Sequence, residues 1–184
     1  VNRVGKDIRF DSVKTKPSTF LVWWTLQALW VLTTMAAALA IVTGGETVSM
    51  SWLGWIGFGI WLFGFAVEVV ADSQKSSFKN DPANRGHFIR TGLWAWSRHP
   101  NYFGEIVLWT GVAVMAIPVL TGWQYATLIS PVFVSFLLMK MSGVPLLERK
   151  ADERWGGQED YEAYKKATPV LVPRPPRSVP SSQD

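Results

Sequence analysis

Two glutamates stand where the sequence otherwise avoids charge. Glu68 lies near the end of the apolar stretch 52–70, and Glu105 lies one turn into the apolar stretch 102–120. An ionisable side chain inside a membrane-length segment is costly and is by default a functional-site candidate. The neighbours of both glutamates repeat at helical spacing. Glu68, Asp72, Lys75 and Lys79 follow i, i+4, i+7, i+11, and Asn101, Glu105 and Trp109 follow i, i+4, i+8. Each set shares one face if a helix runs through it. Two polar stripes at matching ends of neighbouring helices could line a pocket open to a soluble cofactor. The alternative is a set of ordinary surface pairs, each carboxylate reaching the interface or pairing with a loop arginine.

Arg98-His99-Pro100-Asn101-Tyr102 sits where loop gives way to helix. Proline suits the first turn of a helix. Free amides at that start, beside Arg98 and His99, make a candidate anion or phosphate site. An arginine at such a position also serves simply as a topology signal. Neither a GxGxxG nor a GxxxxGK[ST] motif is present, so no Rossmann fingerprint or P-loop is on offer. Further on, 146–155 and 160–166 read as two amphipathic helices, the second closed by Pro169. They are either interfacial helices or a cap over the pocket, with Arg149, Tyr161 and Tyr164 available to a cofactor.

The elements that must position these groups are long and apolar. The uncharged stretch 20–42 meets the length of about 20 residues that a helix needs to cross a bilayer. Spans are also expected at about 52–70, 102–120 and 123–139, with a tight turn at Thr121-Gly122 and a kink at Pro131. The long segment 72–100 is expected as a polar loop. All 18 lysines and arginines fall before the first span, between the second and third, or after the fourth. The positive-inside rule then puts both ends and the central loop in the cytoplasm, a bacterial inner membrane being the expected location. The fold class is therefore all-α, a multi-pass transmembrane bundle with cytoplasmic amphipathic helices. A single domain is expected over 1–173, its cap at 140–173, with a disordered tail at 174–184.

Composition narrows the chemistry. There is no Cys, which excludes disulfides and thiolate chemistry, and two His at no ligand spacing argue against a metal. The net charge of +4 fits loops beside anionic lipid better than nucleic acid. No secretory signal is visible in 1–18, and the true N-terminus is expected upstream of Val1.

The run 92–105, Gly-Leu-Trp-Ala-Trp-Ser-Arg-His-Pro-Asn-Tyr-Phe-Gly-Glu, strongly resembles the signature of the steroid 5-alpha-reductase-like membrane family. So do the segments 142–148, 161–169 and 5–10, in the order of a bacterial branch whose substrates are mostly undefined. Arg-His-Pro-x-Tyr-x-Gly alone also resembles isoprenylcysteine carboxyl methyltransferases. The resemblance implies a seven-helix reductase holding NADPH at its cytoplasmic end. It would pass hydride to an activated C=C of a lipophilic steroid-, sterol- or enone-like substrate, an oxidoreductase acting on CH–CH groups. It implies cofactor contacts at Asn101, Glu105, Trp109 and Asp72. Glu68, which stands where the family has Asn, is counted with these candidates. Arg149 and Lys150 become phosphate candidates, and Arg98, His99, Tyr102, Tyr161 and Tyr164 complete the expected set. The carbonyl-polarising residues of the family would lie upstream of Val1, so no catalytic residue is assigned. The competing readings are an S-adenosylmethionine-dependent membrane methyltransferase and a non-enzymatic scaffold. Asn101 and Glu105 favour the reductase, because the methyltransferases more often have a small residue at the first position and lack the second.

Overall fold

The computed structural model describes residues 17–44, 49–141 and 143–176. The basic residues of 1–16, Gly45 and Glu46 of the first turn, Ser142 and the tail 177–184 lie outside the described residues. Among the described residues the fold is all helical: α1 (Pro17–Thr43), α2 (Trp52–Asn80), α3 (Pro100–Ala116), α4 (Ser130–Phe136), α5 (Val144–Trp155) and α6 (Glu159–Ala167), with 3-10 segments between them. Four helical stretches are long and apolar enough to cross a membrane: Pro17–Thr43, Trp52–Asn80, Pro100–Val119 and Gly122–Trp155.

Two elements differ from the sequence expectation. α2 does not end near Val70 but runs on to Asn80, so 72–80 is helix rather than loop. Nothing between Ala71 and Asn80 breaks a helix, and the residue before Pro82 is steered out of helical geometry. Asp81 is extended there and its Oδ1 accepts from Ala83 N at 2.9 Å. The face carrying Glu68, Asp72, Lys75 and Lys79 is therefore continuous. The fourth stretch is not one kinked α-helix. It is 3-10 over Gly122–Ile129, α over α4 and π over Leu137–Met141. Pro131 has no N–H to give and crowds the preceding carbonyls, so regular α geometry begins at Ser130 with the proline in its first turn. Thr121 opens the stretch with a capping box to Gln124, and Gly122 has φ 52°.

α2 and α3 pack antiparallel at glycines seven residues apart. A Cβ on Gly57 would lie 2.8 Å from Gly111 O, and one on Gly64 would lie 2.7 Å from Gly104 O. Reciprocally, a Cβ on Gly104 would meet Glu68 N at 2.7 Å. Backbones approach this closely only where no side chain intervenes, as is common between helices in bilayers. The register holds Glu68 against the start of α3. α1 closes on the far end of the pair, where Ala37 and Ala40 join Val112, Ala113, Ala116 and Leu120 in the core.

Candidate cofactor site

The link from α2 to α3 is fixed from two sides. Buried Trp94 donates its Nε1 to Ala71 O on α2 at 3.0 Å, and Leu93 N donates to Gln74 Oε1 at 2.9 Å. Gly92 has φ 61°, and a Cβ there would lie 2.5 Å from Gln74 Oε1, so glycine lets this turn rest on α2. From the other side Tyr164 OH donates to Trp94 O at 2.7 Å. The chain beyond α6 then straps the link down. Arg98 N donates to Pro169 O at 2.9 Å, buried Ser97 Oγ to Leu171 O at 2.8 Å, and Arg174 N to Trp96 O at 3.0 Å.

This strap delivers Arg98 and His99 to the start of α3, with Pro100 fully buried in its first turn. Glu148 on α5 meets both. His99 Nε2 lies 2.8 Å from Oε1, and Arg98 Nη1 lies 2.6 Å from Oε2. An ionised carboxylate only accepts, which makes His99 Nε2 the donor. The arginine contact is an ion pair off the N–H direction, since Nη1 and Nε have no hydrogen-bond acceptor. The His99 ring stacks on Tyr102, centroids 5.5 Å apart and 9° from parallel.

A cavity of about 780 Å3 opens beside this cluster, between the end of α2, the 84–89 segment, α5 and α6. Lys75, Lys79, Arg85, Lys150 and Arg154 line it, and among the described residues none has a carboxylate partner. Elsewhere Arg90, Arg149 and Lys165 are paired with acidic residues. Phe88 sits 5.3 Å from the rings of Tyr161 and Tyr164 and 5.8 Å from Trp155, fastening the 84–89 segment to the cap. Burial, aided by the hydrogen bond to Asp152, holds the Tyr161 phenol above its ordinary value. Burial, with a smaller push from the Glu148 carboxylate and against the pull of Arg98, raises Tyr164. Both phenols are therefore protonated donors at neutral pH.

The expected site residues thus fall into groups. Arg98, His99, Lys150, Tyr161 and Tyr164 line the cavity. Glu68, Asp72 and Glu105 gather where α2 meets α3, close enough to repel one another, and among the described residues no hydrogen bond or ion pair reaches them. Asn101 Oδ1 is buried without a partner. Tyr102 joins the two groups through its stack on His99. Trp109 lies deeper, against the core. Arg149 is outside the cavity, exposed and 3.7 Å from Glu153. Sequence reasoning passed over Glu148, Phe88, Trp94 and Trp155. Glu148 meets its partners across 49 residues or more, a separation with no local spacing to read. Its one local signal is a lone carboxylate directly after the apolar run 144–147.

An all-α bundle with four bilayer-length helices defines an integral membrane protein. A family model described as a protein of unknown function (DUF1295) matches residues 1–168, and the chain belongs to that family. Its relatives place it among steroid 5-alpha-reductase-like membrane proteins. It is 32% identical over 119 residues to 3-oxo-5-alpha-steroid 4-dehydrogenase 1 of Macaca fascicularis, covering 64% of this chain and 40% of the relative. It is 27% identical over 128 residues to a steroid 5-alpha-reductase of Arabidopsis thaliana, covering 67% and 43%. A probable O-methyltransferase of Ustilaginoidea virens is 28% identical over 129 residues, covering 66% and 45%. The chain thus spans less than half the length of these relatives. No solved structure matches it.

Proposed function

We propose that this chain forms the cofactor-holding part of a membrane-embedded reductase that uses NADPH to reduce an activated C=C of a lipophilic substrate. The observation that carries this reading is the cavity ringed by five cations that have no carboxylate partner among the described residues. Unneutralised cations around a concavity attract a polyanion, and a volume near 780 Å3 suits a cofactor-sized molecule. Lys75, Lys79, Arg85, Lys150 and Arg154 would hold phosphates, while Phe88 and Trp155 offer ring faces. Asn101 has an unpartnered buried acceptor and a donor amide, which suits a carboxamide or a ribose. Glu105, when ionised, accepts only, so it would orient an amide or hydroxyl donor. NADPH, when bound, supplies the hydride. The basic end of the bundle would face the cytoplasm, where NADPH is available.

The unneutralised carboxylates at Glu68, Asp72 and Glu105, with the O-methyltransferase relative, favour a second reading: S-adenosylmethionine, whose sulfonium is cationic. That ligand has no phosphate for the five cations. Thermal unfolding in detergent separates the two, because a ligand at about 100 times its Kd stabilises by roughly 2.7 kcal/mol. NADPH should raise the midpoint and S-adenosylmethionine should leave it unchanged. The reverse pattern would overturn the reductase reading.

A further inference from the structure

The cavity is not uniform in charge. At one end Trp155 Nε1 donates to Gly86 O at 2.6 Å, closing the end of α5 onto the 84–89 segment. Lys79, Arg85 and Arg154 belong to that end, in the last turn of α2, in the segment and in the last turn of α5. The other end is the start of α3, where Arg98, His99 and Glu148 line the wall. Glu148 stands six residues before Arg154, so the two ends lie about 9 Å apart along α5. Lys75, a turn before Lys79, rests over the Trp94 ring, 4.8 Å from its centroid.

By residue type the α3 end should hold an anion well. A helix start offers free amides, and Arg98 and His99 stand beside them. Their side chains are 12% and 6% exposed, so a charge there is poorly screened by solvent. Glu148 already meets both, its Oε2 2.6 Å from Arg98 Nη1 and its Oε1 2.8 Å from His99 Nε2. Arg98 Nε and Nη1 remain buried with no hydrogen-bond acceptor among the described residues. The carboxylate therefore cancels the charge of this end without using all its donors.

We infer that Glu148 is a specificity-determining residue of this cavity. It fills the anion site at the start of α3, so that end takes an uncharged, hydrogen-bonding group and the phosphates go to the far cations. The inference rests on the reductase reading, in which the uncharged group is the carboxamide-bearing ring of NADPH. A dinucleotide carrying a carboxylate there would set two anions against one guanidinium, and discrimination by such repulsion is a general route to specificity. Glu148→Gln keeps the shape and an oxygen that accepts from His99, but it leaves the charge of Arg98 free.

The test titrates the purified full chain with NADP+ and with nicotinic acid adenine dinucleotide phosphate, which differ only in carboxamide against carboxylate. The readout is the ratio of the two Kd values, because a loss of packing weakens both alike and leaves the ratio in place. The wild type should prefer NADP+ by roughly tenfold or more. Glu148→Gln should remove or reverse that preference by gaining affinity for the acid. Arg98→Gln, which leaves Glu148 unneutralised, should widen it and decides the matter if Glu148→Gln does not fold. Glu153→Gln removes the same charge from an exposed position of α5, outside the cavity, and should keep the wild-type ratio. Equal affinity of the wild type for both dinucleotides would overturn the inference and leave the reductase reading standing. So would one ratio in the wild type, Glu148→Gln and Arg98→Gln, or a shift as large in Glu153→Gln. A wild type that binds neither dinucleotide would sink the reductase reading and this inference with it.

Discussion

Arg98 and Lys150 illustrate two fates of a cation at one cavity. Arg98 is already neutralised by Glu148 at 2.6 Å, while Lys150 has no carboxylate partner. In the proposed function it is therefore the unpaired set that would hold phosphates. A hydrogen bond to a charged group contributes about 1.5–3 kcal/mol, so Lys79→Ala and Lys150→Ala should each weaken NADPH binding by roughly tenfold or more. Arg149→Ala, whose partner is the outward Glu153, should bind as the wild type does. Fluorescence titration of the purified variants decides both. Tyr164 gives a prediction about pH. Its phenol is held protonated in the fold, so the proton it keeps favours the native state and that stability is lost as pH rises above about 10. Tyr164→Phe should show a shallower alkaline loss of thermal stability; an unchanged slope would refute the link. The placement of Arg98 and His99 at a helix start, and of Asn101 and Glu105 one turn apart on α3, was legible because both are local patterns. Glu148 was not, since its role exists only once α5 folds back onto the start of α3.

At the scale of elements, the α2–α3 contact sets the geometry of the site. Gly64→Ala or Gly104→Ala would drive a methyl into the opposing backbone, where overpacking costs about 1–3 kcal/mol. Both should lower the thermal midpoint in detergent. Gly59→Ala on the same helix meets nothing within 4 Å and should be neutral or slightly stabilising. Equal effects at Gly59 and Gly64 would contradict the close contact. Hydropathy located the helices well and their ends poorly. The end of α2 is set by Asp81-Pro82, ten residues past Ala71 where the continuous apolar stretch stops, because helix propensity outlasts hydrophobicity there. The switch from 3-10 to α to π in the fourth stretch has no periodic signature, since all three geometries accept the same apolar run. The cap helices α5 and α6 were legible, for their amphipathic spacing is strong.

At the scale of the molecule, the sequence itself predicts sidedness. With no native Cys, single cysteines at Thr121 and Lys166 should label from opposite sides of the membrane, Lys166 from the cytoplasm. Labelling of both from one side would contradict that orientation. On the proposed function the basic cavity holds NADPH, and equilibrium titration of the purified protein with NADPH tests this directly. Binding should be saturable and weakened by roughly tenfold or more in Lys150→Ala and Asn101→Ala. Arg174→Ala, whose side chain is exposed and whose strap contact is made by its backbone, should leave it intact. Absence of saturable NADPH binding, or identical affinity in both cavity variants while they remain folded, would contradict it.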